Sequence, residues 1–307
     1  MLSEFELIER LRQQVKSQPA LRLGIGDDAA EVLFGKHQSP VLVTTDMLMD
    51  QVHFDLASTD PKLIGRKSLA VNLSDIAAMG GEAIAVVISY AFSQGAPATL
   101  GEQLHAGIVE LADQYGVAVA GGDTNSWKGP LVISVTALGQ PIGSHSIERS
   151  GAQEGDIIFV TGELGGSLAG SHLTFEPRLR EARALVENYD VHALIDLSDG
   201  ISSDLQHILR ESNVGAIVEA DLIPISAAAR ASGGKEKSPL DHALHDGEDF
   251  ELLFTLASAE ASRLLADPTL AGTPVSQIGS ITSGSEAWLK VQGELVPLKR
   301  QGWEHSL

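Results

Sequence analysis

The sequence has no cysteine among its 307 residues. That excludes disulfides, thiolate nucleophiles, cysteine zinc sites and iron–sulfur clusters. Basic residues are scarce: 21 Lys and Arg stand against 41 Asp and Glu, a net charge of −20. Such a surface repels nucleic acid and anionic membranes, so neither is an expected partner. An anionic small substrate fits only if cations stand between it and the carboxylates. No apolar run reaches the ~18 residues of a membrane span. The stretch MLSEFELIERLRQQ reads as an amphipathic helix from about Ser3 and has no signal-peptide core. The expectation is a soluble, cytoplasmic protein. Several motifs are also missing: G-x-x-x-x-G-K-[ST], the kinase H-R-D and D-F-G, and G-x-S-x-G, since Ser167 lies in GGSLA.

A chain of this length favours two domains. VLVTTD (41–46) and AIAVVISYAF (83–92) read as strands, and 61–79 reads as a helix stopped by Gly80 and Gly81. A helix over 100–115, a short buried strand over 117–120 and a strand over 131–139 follow. Composition shifts toward Gly, Ser and charge at 143–155, which sets the expected domains as 1–142 and 143–307. DIIFVTG, ALIDLSDG, AIVEADLIPI and FELLFTL supply strands after it, with a helix over ISSDLQHILRES and a mobile loop over 231–239. The connection from 117 to 139 looks like a hairpin, which favours α+β over a purely parallel sheet.

LGIGDDAA (23–30) poses a question. Gly24, Gly26 and Ala29 match a dinucleotide fingerprint, but QPALRL before them is a poor strand and Asp27 and Asp28 would face the phosphates. A direct phosphate cradle is therefore rejected, and a surface turn is the plain alternative. Other acids repeat the pattern beside apolar runs or glycine turns: TTD ends at Asp46, GGD at Asp123, DLSDG carries Asp196 and Asp199, and LSD carries Asp75. A single such acid reads as a cap or turn residue. Together, oxygen donors without Cys suit magnesium, which combines carboxylates with substrate phosphates. Aspartate and phosphate would then meet through metal. His242, His245 and Asp246 in HALHD have cluster-like spacing, but a solvated helix end is the favoured reading of them.

GIGDDAA, VTTDMLMDQVHF, KSLAVNLSDIAAMGG, VAVAGGDT, RSGAQEGDIIFVTGELG, IDLSDGISSDL and GEDFELLF occur in the order seen in the thiamine-monophosphate kinases. The chain resembles that family, within the superfamily of aminoimidazole ribonucleotide synthetase, from Phe5 to near its end. The resemblance implies transfer of the γ-phosphoryl of ATP to thiamine monophosphate. It implies a two-domain fold whose N-terminal α/β domain forms a barrel with a second subunit, beside a C-terminal α+β domain, in a homodimer. Carried over by motif, the magnesium ligands would be Asp28, Thr44, Thr45, Asp46, Asp75, Asp123, Asp196 and Asp199. Asp27 is a substitute for Asp28, because spacing does not separate adjacent acids. Gly122, Asp123, Arg149 and Ser198 would contact ATP. His53, Glu248 and Trp303 would contact thiamine monophosphate. The chain departs from the family between Gly165 and Pro177, where it is short and a helix is expected to be trimmed. No protein nucleophile or base is expected, because the acceptor phosphate is already ionised.

Two alternatives stay open on sequence grounds. Another ATP-dependent member of the superfamily would share the acids. Selenophosphate synthetase is disfavoured by the missing cysteine, and aminoimidazole ribonucleotide synthetase by the VHF and GEDFEL combination. A non-catalytic divalent-metal protein would bind ions without turnover, although no EF-hand spacing is present.

Overall fold

The computed structural model describes residues 4–16, 18–35, 39–232, 234 and 237–303. The Ser3 start of the first helix lies outside them, as do residues 233, 235 and 236 of the expected loop. The first layer is a six-stranded sheet built from β1 (Leu21–Leu23), β2 (Ala30–Phe34), β3 (Ser39–Met49), β4 (Gly81–Ser93), β5 (Ala118–Trp127) and β6 (Val132–Pro141). Its order is β1-β2-β3-β6-β4-β5, antiparallel except for the parallel β4–β5 pair. Leu42, Leu48, Val86, Ile88, Ile133, Val135 and Ala137 alternate onto one face and are buried with the helices α2 (Pro61–Ala78) and α3 (Ala98–Tyr115). The first helix, α1 (Glu4–Gln14), reaches the second domain through Arg12, which pairs with Glu211 at 3.1 Å.

Two expectations need correction. β5 and β6 do not form a hairpin, because the link 128–131 steps over the end of β4 and leaves β4 between them. The Ser93 hydroxyl donates to the Gly129 carbonyl at 2.9 Å on that crossing. The strand expected as short and buried over 117–120 is ten residues long and runs exposed along the edge. The sheet of one chain is also open, with β1 and β5 as its edges, and it is not a closed barrel.

The second sheet contains β7 (Ile157–Thr161), β8 (Val191–Asp196), β9 (Gly215–Glu219), β10 (Leu252–Leu256), β11 (Thr269–Leu270), β12 (Thr273–Thr282), β13 (Ala287–Val291) and β14 (Glu294–Pro297). The path runs β14-β13-β9-β12-β7-β10-β8, with β11 paired to β12. One face packs on α5 (Ile201–Ser212) and the other on α4 (Leu179–Asn188) and α8 (Ser258–Ala266). The expected strand AIVEADLIPI stops at Glu219 and turns through a short 3-10 helix. Two further 3-10 turns, Ser167–Ala169 and Ser171–Leu173, fill the shortened segment after Gly165.

Helix α2 sits between the two domains. Its apolar residues run around the whole helix, which is the pattern of a buried one. Asp60 caps it by accepting from the Lys62 N–H, and Pro61 takes the first helical position. Ala77 packs with Phe159, Leu185 and Phe254 of the second domain. Against α3 the approach is backbone to backbone. A Cβ at Gly65 would lie 1.9 Å from the Leu104 carbonyl oxygen, and one at Gly107 would lie 1.9 Å from that of Lys62.

This contact makes a testable prediction. Gly65→Ala gains up to ~1 kcal/mol of helix propensity but forces two backbones apart. A net loss of about 2 kcal/mol is expected, at the upper part of the overpacking range. Urea unfolding measures it, and an unchanged midpoint would contradict the close approach.

Candidate functional site

Four carboxylates converge from separate segments. Asp28 lies in the loop before β2, Asp46 on β3, Asp75 on α2 and Asp196 at the end of β8. Oxygens of Asp28, Asp75 and Asp196 lie within 4.8 Å of one another. Asp46 lies beside Asp75 and senses it electrostatically. The Thr44 hydroxyl donates to Asp75 at 2.5 Å, and the Ser74 hydroxyl donates to Asp196 at 2.5 Å. Arg149, on the link between the sheets, donates from Nε and an Nη to the two oxygens of Asp28 at 3.2 and 2.5 Å. Its backbone N–H donates to Asp27 at 3.2 Å. Asp28 is therefore the member of the pair that joins Asp75 and Asp196, while Asp27 anchors the link.

One guanidinium does not balance so many acids. Burial, reinforced by the Asp28 charge, pushes Asp196 up to about 8. Burial and the same neighbour push Asp27 up to about 7. Asp46 rises to about 6, chiefly by burial. Asp75 rises well above the usual carboxylate range through burial and the charges of Asp46 and Asp196. Burial pulls Arg149 down, but the charge and hydrogen bonds of Asp28 more than reverse this, so its pKa is raised. Such carboxylates repel one another unless protons or cations intervene.

Beside the cluster opens a cavity of about 300 Å³. Asp46 and Asp75 line its carboxylate end, and Ser198, His53, Glu248 and Trp303 also line it. Asp199 also lines it, and its carbonyl accepts from the Trp303 N–H at 3.3 Å. His53 Nδ1 accepts from the Met49 N–H at 3.0 Å, so a neutral ring carries its proton on Nε2. Glu248 sits in a tight segment: Gly247, Glu248 and Phe250 have φ of 71°, 54° and 50°. Only glycine suits position 247, since a Cβ there would lie 2.6 Å from the Ser198 carbonyl oxygen.

Three residues expected in the set stand apart. Strand alternation puts Thr44 and Asp46 on the buried face of β3 and Thr45 on the opposite one. The Thr45 hydroxyl there donates to the Val135 carbonyl at 3.1 Å and accepts from Thr136 at 3.0 Å. Gly122 occupies the same ladder row as Asp46, through Ile88 and Val135, but three strands away. At normal strand spacing that is about 14 Å. Its neighbour Asp123 is likewise on the exposed edge strand and outside the carboxylate trio. The HALHD acid is already engaged: Asp246 accepts from Lys237 at 2.9 Å and pairs with His242 at 2.7 Å.

The sequence reading missed Lys67. Its ammonium is buried in the cavity wall, donating to Glu248 at 2.6 and 2.8 Å and to the His53 carbonyl at 2.8 Å. Burial lowers its pKa despite the Glu248 charge. Lys67 stands eight positions before Asp75 on a helix that also carries Lys62 and Arg66, so the sequence does not single it out. Asp204 was also missed: it accepts from the N–H groups of Asp199 and Gly200 at 3.0 and 2.9 Å and fixes the DLSDG turn.

Comparison with known proteins identifies the family. Residues 26–140 match the AIR synthase related protein, N-terminal domain, and residues 142–291 match its C-terminal domain. The thiamine-monophosphate kinase of Rhodopirellula baltica is 40% identical, covering 94% of this chain and 92% of its own. The structure of AaThiL complexed with AMPPCP and TMP superposes with a TM-score of 0.84 at 27% identity, covering 99% of this chain and 97% of the other. That of thiamine-monophosphate kinase from Stenotrophomonas maltophilia gives 0.74 at 37% identity, covering 96% and 98%. A cavity that runs from clustered carboxylates to His53 and Glu248 thus sits in a chain that belongs to the AIR synthase related family, among its thiamine-monophosphate kinases.

Proposed function

We propose that the protein transfers the γ-phosphoryl group of ATP to thiamine monophosphate, giving thiamine diphosphate and ADP, with magnesium as the metal. The observation that carries this reading is the single cavity joining Asp46 and Asp75 to His53, Glu248 and Trp303. The donor set fits magnesium: aspartate and threonine oxygens, without cysteine, whose charges are left uncompensated. Asp28, Thr44, Asp46, Asp75, Asp196 and Asp199 would hold the ions. Bound magnesium supplies charge neutralisation between two polyanions. Arg149 offers a planar cation to an ATP phosphate, and Ser198 offers hydroxyl and backbone groups. No side chain has to remove a proton, because the acceptor is an ionised phosphate oxygen. Glu248 complements the cationic thiazolium, His53 donates a hydrogen bond, and Trp303 offers a ring for stacking.

The same reading places the enzyme in the cytoplasm, divides it at residue 142/143 and makes it a homodimer. The open face of the first sheet supports the last point, for it exposes Met47, Ile84, Val87 and Leu138. Thr45, Gly122 and Asp123 would act at that interface, away from the buried cluster. A fully active monomer in sedimentation at micromolar concentration would remove this part of the reading.

Purified protein with ATP, magnesium and thiamine monophosphate is expected to yield thiamine diphosphate, and chelation is expected to stop it. Asp75→Asn and Asp46→Asn should each lower kcat by ~100-fold or more. Near-normal kcat in both would return these acids to a structural role.

A second expectation concerns pH. Asp46, Asp27 and Asp196 have folded-state values near 6, 7 and 8, above the ~3.9 of an unfolded aspartate. Their stabilisation is complete below the unfolded value and is lost as pH rises through the folded ones. His207, buried and lowered to about 3, gives a constant term above its unfolded value of ~6.5. In chelator, stability should therefore fall from pH ~6.5 to ~8, and magnesium should offset the fall by binding the charged carboxylates. Urea midpoints at both pH values read this out; a midpoint that rises in chelator over the interval contradicts it.

A further inference from the structure

We infer that Lys67 is a positioning residue for the acceptor: it fixes the Glu248 carboxylate and the His53 loop at set places in the cavity. The inference rests on the reading of this cavity as the thiamine monophosphate site. Lys67 has three N–H donors, and the structure shows three acceptors on them: both Glu248 oxygens, at 2.6 and 2.8 Å, and the His53 carbonyl, at 2.8 Å. Its donors are used, so it is not a phosphate ligand in this arrangement. The two segments it joins come from different domains. The His53 loop follows β3, and Glu248 precedes β10.

The Glu248 side needs such a tie. Glu248 and Phe250 are non-glycine residues at positive φ, a conformation that persists only where surroundings hold it. Phe250 is held by stacking on Phe175 at 4.2 Å, and the Glu248 N–H by the Ser198 carbonyl at 2.7 Å. Among the described residues, only Lys67 bonds to the Glu248 carboxylate. That carboxylate remains 22% exposed at the cavity, with lone pairs left for a cationic or N–H-bearing ligand.

Helix α2 also sets a length. Lys67, Val71 and Asp75 line the cavity at i, i+4 and i+8. Eight residues of helix span about 12 Å. Asp75 marks the carboxylate end and Lys67 marks the Glu248 end, on one rigid element. The distance between the reacting phosphate and the group bound by Glu248 is thereby fixed by helix geometry.

The test is steady-state kinetics on the whole protein with magnesium, ATP and thiamine monophosphate. Lys67→Met should raise KM for thiamine monophosphate by ~10-fold or more while KM for ATP moves less than about 2-fold. In a Glu248→Gln background, Lys67→Met should add less than about 2-fold, because Lys67 acts through that carboxylate. If Lys67→Met does not fold, Lys67→Arg carries the same comparison, since the longer fork keeps the charge but not the three-way geometry. An unchanged KM for thiamine monophosphate, an equal rise in both KM values, or full additivity with Glu248→Gln would each overturn the role of Lys67 alone. A wild-type protein that makes no thiamine diphosphate would instead overturn the assignment of the reaction, and this role with it.

Discussion

The architecture depends on one electrostatic constraint. Asp28, Asp46, Asp75 and Asp196 are brought from four segments into one buried region, with Arg149 as the guanidinium bonded to it. Left ionised and dry, these groups repel by several kcal/mol at any plausible internal dielectric. A fold does not assemble such a cluster for stability, since packed apolar side chains would serve better. On the proposed reading it is retained to hold cations, which would in turn hold phosphates. The glycine-rich GIGDDAA loop is one part of this arrangement: both of its acids bond to Arg149, and Asp28 joins the cluster.

Helix α2 carries the constraint into the rest of the molecule. It is buried among both domains and supplies Asp75 to the cluster, Ser74 to Asp196 and Lys67 to Glu248. Its contact with α3 through Gly65 and Gly107 leaves no side chain between the two backbones. An element held that closely transmits position with little slack. The two rims of the cavity are therefore referred to one rod, although they belong to different sheets.

Much of this was legible in the sequence. The strand-end acids, the 61–79 helix and the VLVTTD strand were visible, and so was the α+β character. What escaped has physical reasons. Hairpin reading failed at 117–139 because a four-residue link looks the same whether it turns back on its own strand or steps over a neighbour. The edge position of β5 is a tertiary property that its small, polar residues do not announce. The grouping of Thr45 with Thr44 came from motif adjacency, whereas the period of two in β3 separates them. Lys67 was hidden because α2 carries other cations, and this one becomes meaningful only when its partner, 181 positions away, is placed. Asp27 and Asp28 are indistinguishable by spacing, and only the position of Arg149 tells them apart.

The hydrogen bond from the Trp303 N–H to the Asp199 carbonyl has a consequence for the order in which the chain is made. Domains fold from the N-terminal side as synthesis proceeds. The first sheet, α2 and α3 are all complete by residue 141, with Asp28, Asp46 and Asp75 already in place. Asp196 and Glu248 arrive later, and Trp303 follows every strand and helix of the second domain. A nascent chain therefore carries Asp28, Asp46 and Asp75 before Asp196 and Glu248 exist, and the part of the cavity wall that Trp303 supplies comes last.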